Sequence, residues 1–359
     1  MKIALITDTH WGARNDSQVF MNYFKRFYEE VFFPYLEEHN IKTCIHLGDV
    51  VDRRKFINYR ILKDLRENFI NRLWKMGVDT HIIIGNHDTF YKNTNEVNSI
   101  AELFSTYDGN IEPWMYSEPT EVEFDGLKIL MMPWICPENH EIAMKMIQDT
   151  KAQILMGHLE IIGIEQIVGS WNYTGIDASV FSKFDMTMSG HFHHKSTGGN
   201  IYYLGNPYEI TWSDYNDPRG FHIFDTATRE LEFIRNPFSM FYKIFYDDEE
   251  KTMEQVVQQD FSEYKDCYVK VVVQNKTNQY WFDMMMDNLY KSDVAHVMVV
   301  ENFLDTDIND DDLVNEAEDT LTILGKYVEG LNVEVDKLEL DKLLKNLYSD
   351  ALNAETVYQ

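Results

Sequence analysis

The chain is predicted to be an α/β protein: two sheets packed as a sandwich and flanked by helices, followed by a small α/β appendage and a helical tail. Three observations carry this. Residues 2–7, 43–47, 80–84, 152–156 and 184–188 are short apolar runs that each stop at polar residues, the pattern of buried strands. Between the early runs lie stretches with apolar side chains at helical spacing. From Gly198 to Arg235 the pattern turns to short alternating strands, which suggests a second sheet packed on the first. At 359 residues the chain exceeds what one core usually supports, and it divides at residues 1–240, 241–304 and 305–359.

Composition narrows the class. The apolar fraction of 44% allows a sizeable core, and no apolar run approaches the roughly 18 residues that a membrane span needs. Residues 1–6 are too few before Thr7 and Asp8 to be a signal-peptide core. Cys44, Cys136 and Cys267 are widely separated and form neither a zinc spacing nor a disulfide framework. A soluble protein of a reducing, cytoplasmic compartment is expected. The formal net charge of -28 argues against a protein that coats nucleic acid. From residue 305 onward, however, 15 Asp/Glu against 4 Lys/Arg supply -11 of that charge. Basic residues gather instead at Arg53, Arg54, Lys55 and Arg60, where a polyanion would bind locally.

Taken in order, residues 2–7 run straight into Asp8-Thr9-His10-Trp11-Gly12. Asp8 and His10, two residues apart, share one side of an extended segment and can reach one cation. Val19, Phe20, Tyr23, Phe24, Phe27, Val31 and Phe32 recur at helical spacing across residues 17–38, a stripe for core packing. Residues 43–47 stop at Gly48-Asp49. One Gly-Asp pair more often marks a turn, but open sheets bind ligands outside the carboxyl ends of their strands, and a carboxylate there can hold two cations at once. Residues 57–74 read as a helix closed by Gly77, and residues 80–84 end in Gly85-Asn86-His87-Asp88.

Asp125-Gly126 turns a hairpin between residues 121–124 and 127–132, and residues 142–147 form a short helix. The next two strands end in Gly157-His158 and in Ser189-Gly190-His191-Phe192-His193; His191 and His193 again share one side of an extended backbone. Beyond Pro237, Asp247-Asp248-Glu249-Glu250 reads as an acidic linker. A strand at 268–273, a helix at 279–290 and a strand at 294–300 then make the small α/β unit. After a second acidic stretch come two amphipathic helices, the second with Leu340, Leu343, Leu344, Leu347 and Ala351 on one stripe. They dock on this protein or on a partner. No G-x-x-x-x-G-K-[ST] loop is present, so any ATP site belongs to another chain.

Collected, the strand ends supply Asp8, His10, Asp49, Asn86, His87, Asp88, His158, His191 and His193. Oxygen and imidazole donors without thiolate suit manganese, iron or zinc. The order D-x-H, G-D-x-x-D, G-N-H-D, G-H, G-H-x-H resembles the calcineurin-like metallophosphoesterases. Within that superfamily His10-Trp11-Gly12, Gly205-Asn206-Pro207, the small α/β unit and the helical tail are similar to the SbcD nucleases, and the compact size resembles the branch carried by T-even bacteriophages. The resemblance implies a metallophosphoesterase sandwich with a DNA-binding cap at 241–304. It also implies two divalent ions, manganese foremost, with Asp8, His10, Asp49 and His193 on one, Asn86, His158 and His191 on the other, and Asp49 bridging. Such a pair clamps the entering and leaving oxygens of an in-line displacement.

His87 is assigned to the scissile phosphate as general acid or charge stabiliser, with Asp88 orienting it. Arg53, Arg54 and Lys55 are assigned to substrate, and Asp52 is given no metal role. The resemblance further implies a duplex exonuclease and single-strand endonuclease acting with an SMC-like ABC ATPase of the SbcC type in recombination and repair. Leu340, Leu343, Leu344 and Leu347 would dock on that partner, and the chain would form a homodimer within a heterotetramer, with the helix at 57–74 a possible contact. The alternative is a phosphatase using the same two-metal site. Val51-Asp52-Arg53 resembles the segment in which phosphoprotein phosphatases hold phosphate with arginine, although Ile84 and Asp88 depart from the residues those enzymes carry around G-N-H.

Overall fold

The computed structural model describes residues 1–104 and 113–301, together with the helical positions Lys337, Leu340 and Leu343. Two six-stranded sheets face each other. The first runs, edge to edge, Leu231–Arg235, Gly220–Asp225, Lys2–Ile6, Thr43–His46, Asp79–Ile83 and Trp114–Tyr116. The second runs Ser196–Gly198, Ile201–Tyr203, Met186–Gly190, Ile154–His158, Leu127–Met132 and Thr120–Phe124. Alternation of side chains along each strand builds three apolar layers. Ile3, Leu5, Ile45 and Ile83 meet Ile129, Met131, Ile154 and Met188 between the sheets. Ala4, Ile6, Cys44 and Ile82 face the aromatic stripe of Phe20, Phe24, Phe27 and Phe32. On the far side, Leu130 and Leu155 pack on Ala143 and Ile147 of the helix His140–Asp149.

The direction of the strands positions the site. Lys2–Ile6, Thr43–His46 and Asp79–Ile83 are parallel neighbours, and so are Ile154–His158 and Met186–Gly190 in the other sheet. Their carboxyl ends therefore emerge along one edge of the sandwich. Glycine lets the two sheets close there: a Cβ on Gly48, whose φ is +98°, would collide with the His158 ring, and one on Gly190 would collide with the Thr7 hydroxyl.

The helices expected at 17–38 and 57–74 are present, each with a π-helical turn inside, at Tyr28–Phe32 and Arg66–Ile70. The expected hairpin turns at Asp125 and Gly126, both at positive φ. Two expectations are corrected. The strands between 198 and 235 do not form a sheet of their own. Ser196–Gly198 and Ile201–Tyr203 extend the second sheet, while Gly220–Asp225 returns antiparallel beside Lys2–Ile6 in the first.

Nor is 247–250 simply a linker. Asp247 closes the strand Phe241–Asp247, which pairs in parallel with Tyr268–Asn275, itself paired with His296–Glu301. The Asp248 side chain is buried and accepts hydrogen bonds from the Thr277 and Asn278 amides and the Tyr246 hydroxyl. It thereby fixes the start of the helix Gln279–Lys291. The acidic run hides one carboxylate with a structural task among solvated ones.

Candidate metal centre

Asp8 and His10 leave the first strand with φ of 52° and 42°, Asp49 leaves the second with 56°, and His191 stands at 90°. Such left-handed conformations cost non-glycine residues on the order of 1–3 kcal/mol and collect at functional sites. The extended geometry expected for Asp8-Thr9-His10 and for His191-Phe192-His193 is therefore wrong, and convergence is achieved by turning instead. The turns are held by one another. The Asp8 amide donates to the Gly48 carbonyl at 3.0 Å and the His10 amide to the Asp49 carbonyl at 3.2 Å. The Asp8 carboxylate accepts from the His191 amide at 3.1 Å and the Thr7 hydroxyl at 2.7 Å. Asp49 accepts from the His87 amide at 2.7 Å.

Three overlapping clusters result, each with its potential ligand atoms within 4.8 Å of one another: Asp8, His10 and His193; His10, Asp49 and His87; Asp49, His158 and His191. Asn86 joins the last, its Oδ1 2.9 Å from both His158 Nε2 and His191 Nδ1. Asp49 Oδ2 lies 3.3 Å from His158 Nε2 and 3.9 Å from His10 Nε2, between the two ends of the cluster. His10 Nε2 and His193 Nε2 face each other at 3.0 Å. Two imidazole nitrogens can share one proton at most, whereas both can donate to one cation. The donor set of two carboxylates, four imidazoles and an amide oxygen fits two divalent cations of the manganese, iron or zinc kind.

The charges point the same way. Burial pushes the Asp8 carboxyl up to about 6. Burial also opposes ionisation of Asp49, but His158 and then His87 hold it well below the usual carboxylate range. His158 is raised to about 9 against burial, chiefly by Asp49. His10 is likewise raised to about 9 against burial, chiefly by the Asp52 carboxylate 3.5 Å from its Nδ1. Burial lowers His191 to about 3 and takes His193 well below its ordinary value. The carboxylates thus demand positive charge, which His10 and His158 supply as protons and which cations would supply better.

Support comes from residues the sequence undervalued. Asp52, given no metal role, has Oδ1 3.5 Å from His10 Nδ1, the arrangement by which a carboxylate orients a metal-binding imidazole. Its backbone carbonyl accepts from His87 Nδ1 at 2.6 Å, which leaves Nε2 of His87 available. The signal was present in the G-D-x-x-D spacing itself. His46, whose Nε2 is 2.9 Å from the Thr9 hydroxyl, steadies the turn from behind; as a lone histidine in an apolar strand it carried no signal.

Asp88 is a correction. It does not orient the His87 ring, because its oxygens are taken by the backbone amides of Asp49, Val50, Val51 and Gly85 at 2.9 to 3.2 Å. It fastens the turn that carries Asp49. Arg53 is also turned away, its guanidinium on Asp16 at 3.2 Å and Asn15 at 3.0 Å. Arg54 Nη1, by contrast, is buried with no hydrogen-bond partner among the described residues, and Lys55 is exposed. Leu340 and Leu343 are helical, half-buried and exposed respectively, and Leu344 and Leu347 lie outside the described residues.

A family model described as calcineurin-like phosphoesterase matches residues 1–195. Exonuclease subunit 1 of Enterobacteria phage T4 is 30% identical over 359 residues, covering 98% of this chain and 99% of that protein. The SbcD subunit of the SbcCD nuclease of Staphylococcus epidermidis is 22% identical over 259 residues, 64% of this chain and 67% of that one. Among solved structures, a novel archaeal phosphodiesterase aligns with 66% of this chain and 100% of its own at 16% identity and a TM-score of 0.33. The family match ends just beyond His193 and so takes in every residue of the cluster. With a full-length relative at 30% identity beside it, the chain belongs to the calcineurin-like phosphoesterase family.

Proposed function

We propose that this chain is a metal-dependent phosphodiester hydrolase that cuts DNA, with manganese in a two-cation site. The carrying observation is the place of Asp49, whose one carboxylate lies between the Asp8, His10, His193 cluster and the Asn86, His158, His191 cluster. Asp8, His10, Asp49 and His193 would hold one cation, and Asn86, His158 and His191 with Asp49 the other. A bound pair supplies an activated nucleophile and charge for both oxygens of an in-line displacement. His87 keeps its Nδ1 proton on the Asp52 carbonyl, so Nε2 is the atom that meets the scissile phosphate. Burial lowers the ring's affinity for a second proton, and His87 would give one to the leaving oxygen only from the imidazolium form that the bound phosphate's charge favours, returning to the neutral Nδ1–H ring.

Arg54, with a buried guanidinium nitrogen unpaired, is better placed than Arg53 to hold a phosphate. This weighs against the phosphatase alternative, which leaned on Arg53. Both relatives are named as subunits, which supports a partner chain; we assign an SMC-like ATPase to that role, residues 241–304 to a DNA-binding cap and residues 305–359 to partner docking. Among the described residues no helix is long and apolar enough to cross a membrane.

The test is cleavage of end-labelled duplex and single-stranded DNA with manganese. His87→Ala is expected to abolish cleavage and keep both metals by elemental analysis, and metal loss in that variant would overturn its role. Faster turnover of a phosphomonoester than of DNA would favour the phosphatase. Truncation after Asp305 is expected to abolish co-purification with the ATPase, and retained association would refute the docking assignment.

A further inference from the structure

After Ile201–Tyr203 the chain crosses beneath the turn that carries Asp8 and His10. Tyr208 is fully buried there, its ring stacked on Phe24 at 3.7 Å between centroids. Its hydroxyl donates to the carbonyl of Thr9 at 2.6 Å, the residue between Asp8 and His10. The next residue faces the other way. Glu209 Oε2 accepts from the amides of Met240 at 2.6 Å and Phe241 at 2.9 Å, where the three-stranded unit begins. The Glu209 amide meets the Tyr23 hydroxyl at 3.4 Å, and that hydroxyl donates to the Phe238 carbonyl at 3.0 Å. Asn236 donates to the Pro207 carbonyl at 3.0 Å. Two adjacent side chains therefore grip, on one side, the peptide between two proposed ligands and, on the other, the entry to the appended unit.

We propose that Tyr208 and Glu209 form a strap that couples the seating of the 241–301 unit to the turn presenting Asp8 and His10, with Tyr208 a positioning residue for the cation held there. The turn is strained at both residues, and strained backbone persists only where its surroundings over-determine it. Tyr208 contributes one of those determinants from outside the turn. Asn86, His158 and His191, at the other end of the cluster, make no contact of this kind with the strap in the hydrogen bonds described for them. The turn is tied to that end by the His191 amide on Asp8 and by the His10 amide on Asp49, so displacement of the appended unit is felt more by the cation of Asp8 and His10 than by its neighbour.

The metal half of this inference rests on the function proposed above; the mechanical half does not. Manganese is titrated into the full chain by calorimetry, and amide hydrogen exchange is followed at residues 8–11 without metal. Tyr208→Phe keeps the stacking and removes two buried hydrogen bonds, the short one to the Thr9 carbonyl and a longer one with the Tyr28 hydroxyl at 3.3 Å. It is expected to weaken one of two manganese sites about fivefold and the other by less than about twofold, and to speed exchange at residues 8–11. Glu209→Ala is expected to do the same by releasing the appended unit. Glu209→Gln, whose amide oxygen still accepts from both backbone donors, restores wild-type values, which mere loss of packing would not explain. Wild-type titrations and exchange in Tyr208→Phe and Glu209→Ala would overturn the strap, as would equal weakening of both sites. A wild-type chain that takes up no manganese would defeat the metal reading, while the exchange data would still decide for or against the strap.

Discussion

Two regions of the molecule bury carboxylates and satisfy them differently. At the strand ends Asp8 and Asp49 lie among the imidazoles of His10, His158 and His193. Glu209, at the joint with the appended unit, and Asp248, inside that unit, accept chiefly from backbone amides, those of Met240 and Phe241 and those of Thr277 and Asn278. An imidazole can give up its proton to a cation that takes its place beside the carboxylate, and a backbone amide cannot. The first arrangement is open to metal and the second is a joint. Asp88 sits beside Asp49 in the fold, yet by this criterion belongs with the joints, because its partners are four backbone amides.

The largest expected effect comes from removing the carboxylate that lies between the two ends of the cluster. Asp49→Ala is expected to cost both cations together and to lower DNA cleavage by at least about a thousandfold. His10→Ala is expected to cost mainly one. Metal content and turnover measured on the same samples check this, and an Asp49→Ala protein that keeps one cation would break the distinction between bridge and ligand.

The two regions also respond oppositely to pH. Burial raises the Glu209 carboxyl from 4.5 to about 7, with Asp214 adding to the rise and the two amides and Arg219 opposing it. The folded chain keeps this proton to higher pH than the unfolded one. Its contribution to stability is therefore fully present below about pH 4.5 and is lost as pH rises through 7, about 3 kcal/mol in all. Asp49 runs the other way: its folded pKa is depressed, so its contribution is present above about pH 4 and lost on acidification. Denaturant unfolding across pH 4.5–7 is expected to lose the Glu209 slope in Glu209→Gln, and an unchanged slope would show that the joint carries no such proton.

A smaller effect is expected where a carboxylate orients a ligand without being one. Asp52→Asn keeps the backbone carbonyl that holds His87 and removes the charge 3.5 Å from His10 Nδ1. Loss of such support lowers metal affinity about 10- to 100-fold. The loss is expected at the cation of Asp8, His10 and His193, and equal loss at both would place Asp52 with the general scaffold.

The same contrast explains what could be read from the sequence. Side chains that meet at strand ends announce themselves, because each apolar run stops at its donor and five such stops repeat one chemistry. The individual strands and the long helices were legible for the same periodic reason. What was hidden depends on which backbone group a side chain finds. Asp88 and Asp248 lie within acidic or ligand-rich runs, and only the folded chain shows that their oxygens face amides. The division of 198–235 between two sheets was equally invisible, since alternation reports a strand but not its neighbour. Short elements such as Trp114–Tyr116 and the hairpin of Glu165–Ile167 with Ser170–Trp171 carry too few residues to show a period.

The smallest expected effect separates two adjacent arginines. Arg53 already has its charge answered by Asp16 at 3.2 Å and stacks 5.0 Å from the Phe56 ring, whereas Arg54 has a buried guanidinium nitrogen unpaired and the field of Asp49 nearby. Burial lowers the affinity of Arg54 for its proton, yet guanidinium stays charged at any working pH. A phosphate oxygen would pair the idle donor with a charge-assisted hydrogen bond worth roughly 1.5–3 kcal/mol. Arg54→Gln is therefore expected to raise KM for DNA about tenfold with kcat little changed, and Arg53→Gln to alter KM by less than about twofold. Steady-state kinetics on a short duplex decide it. The reverse ranking would return the phosphate to Arg53, and with it the resemblance to phosphatases.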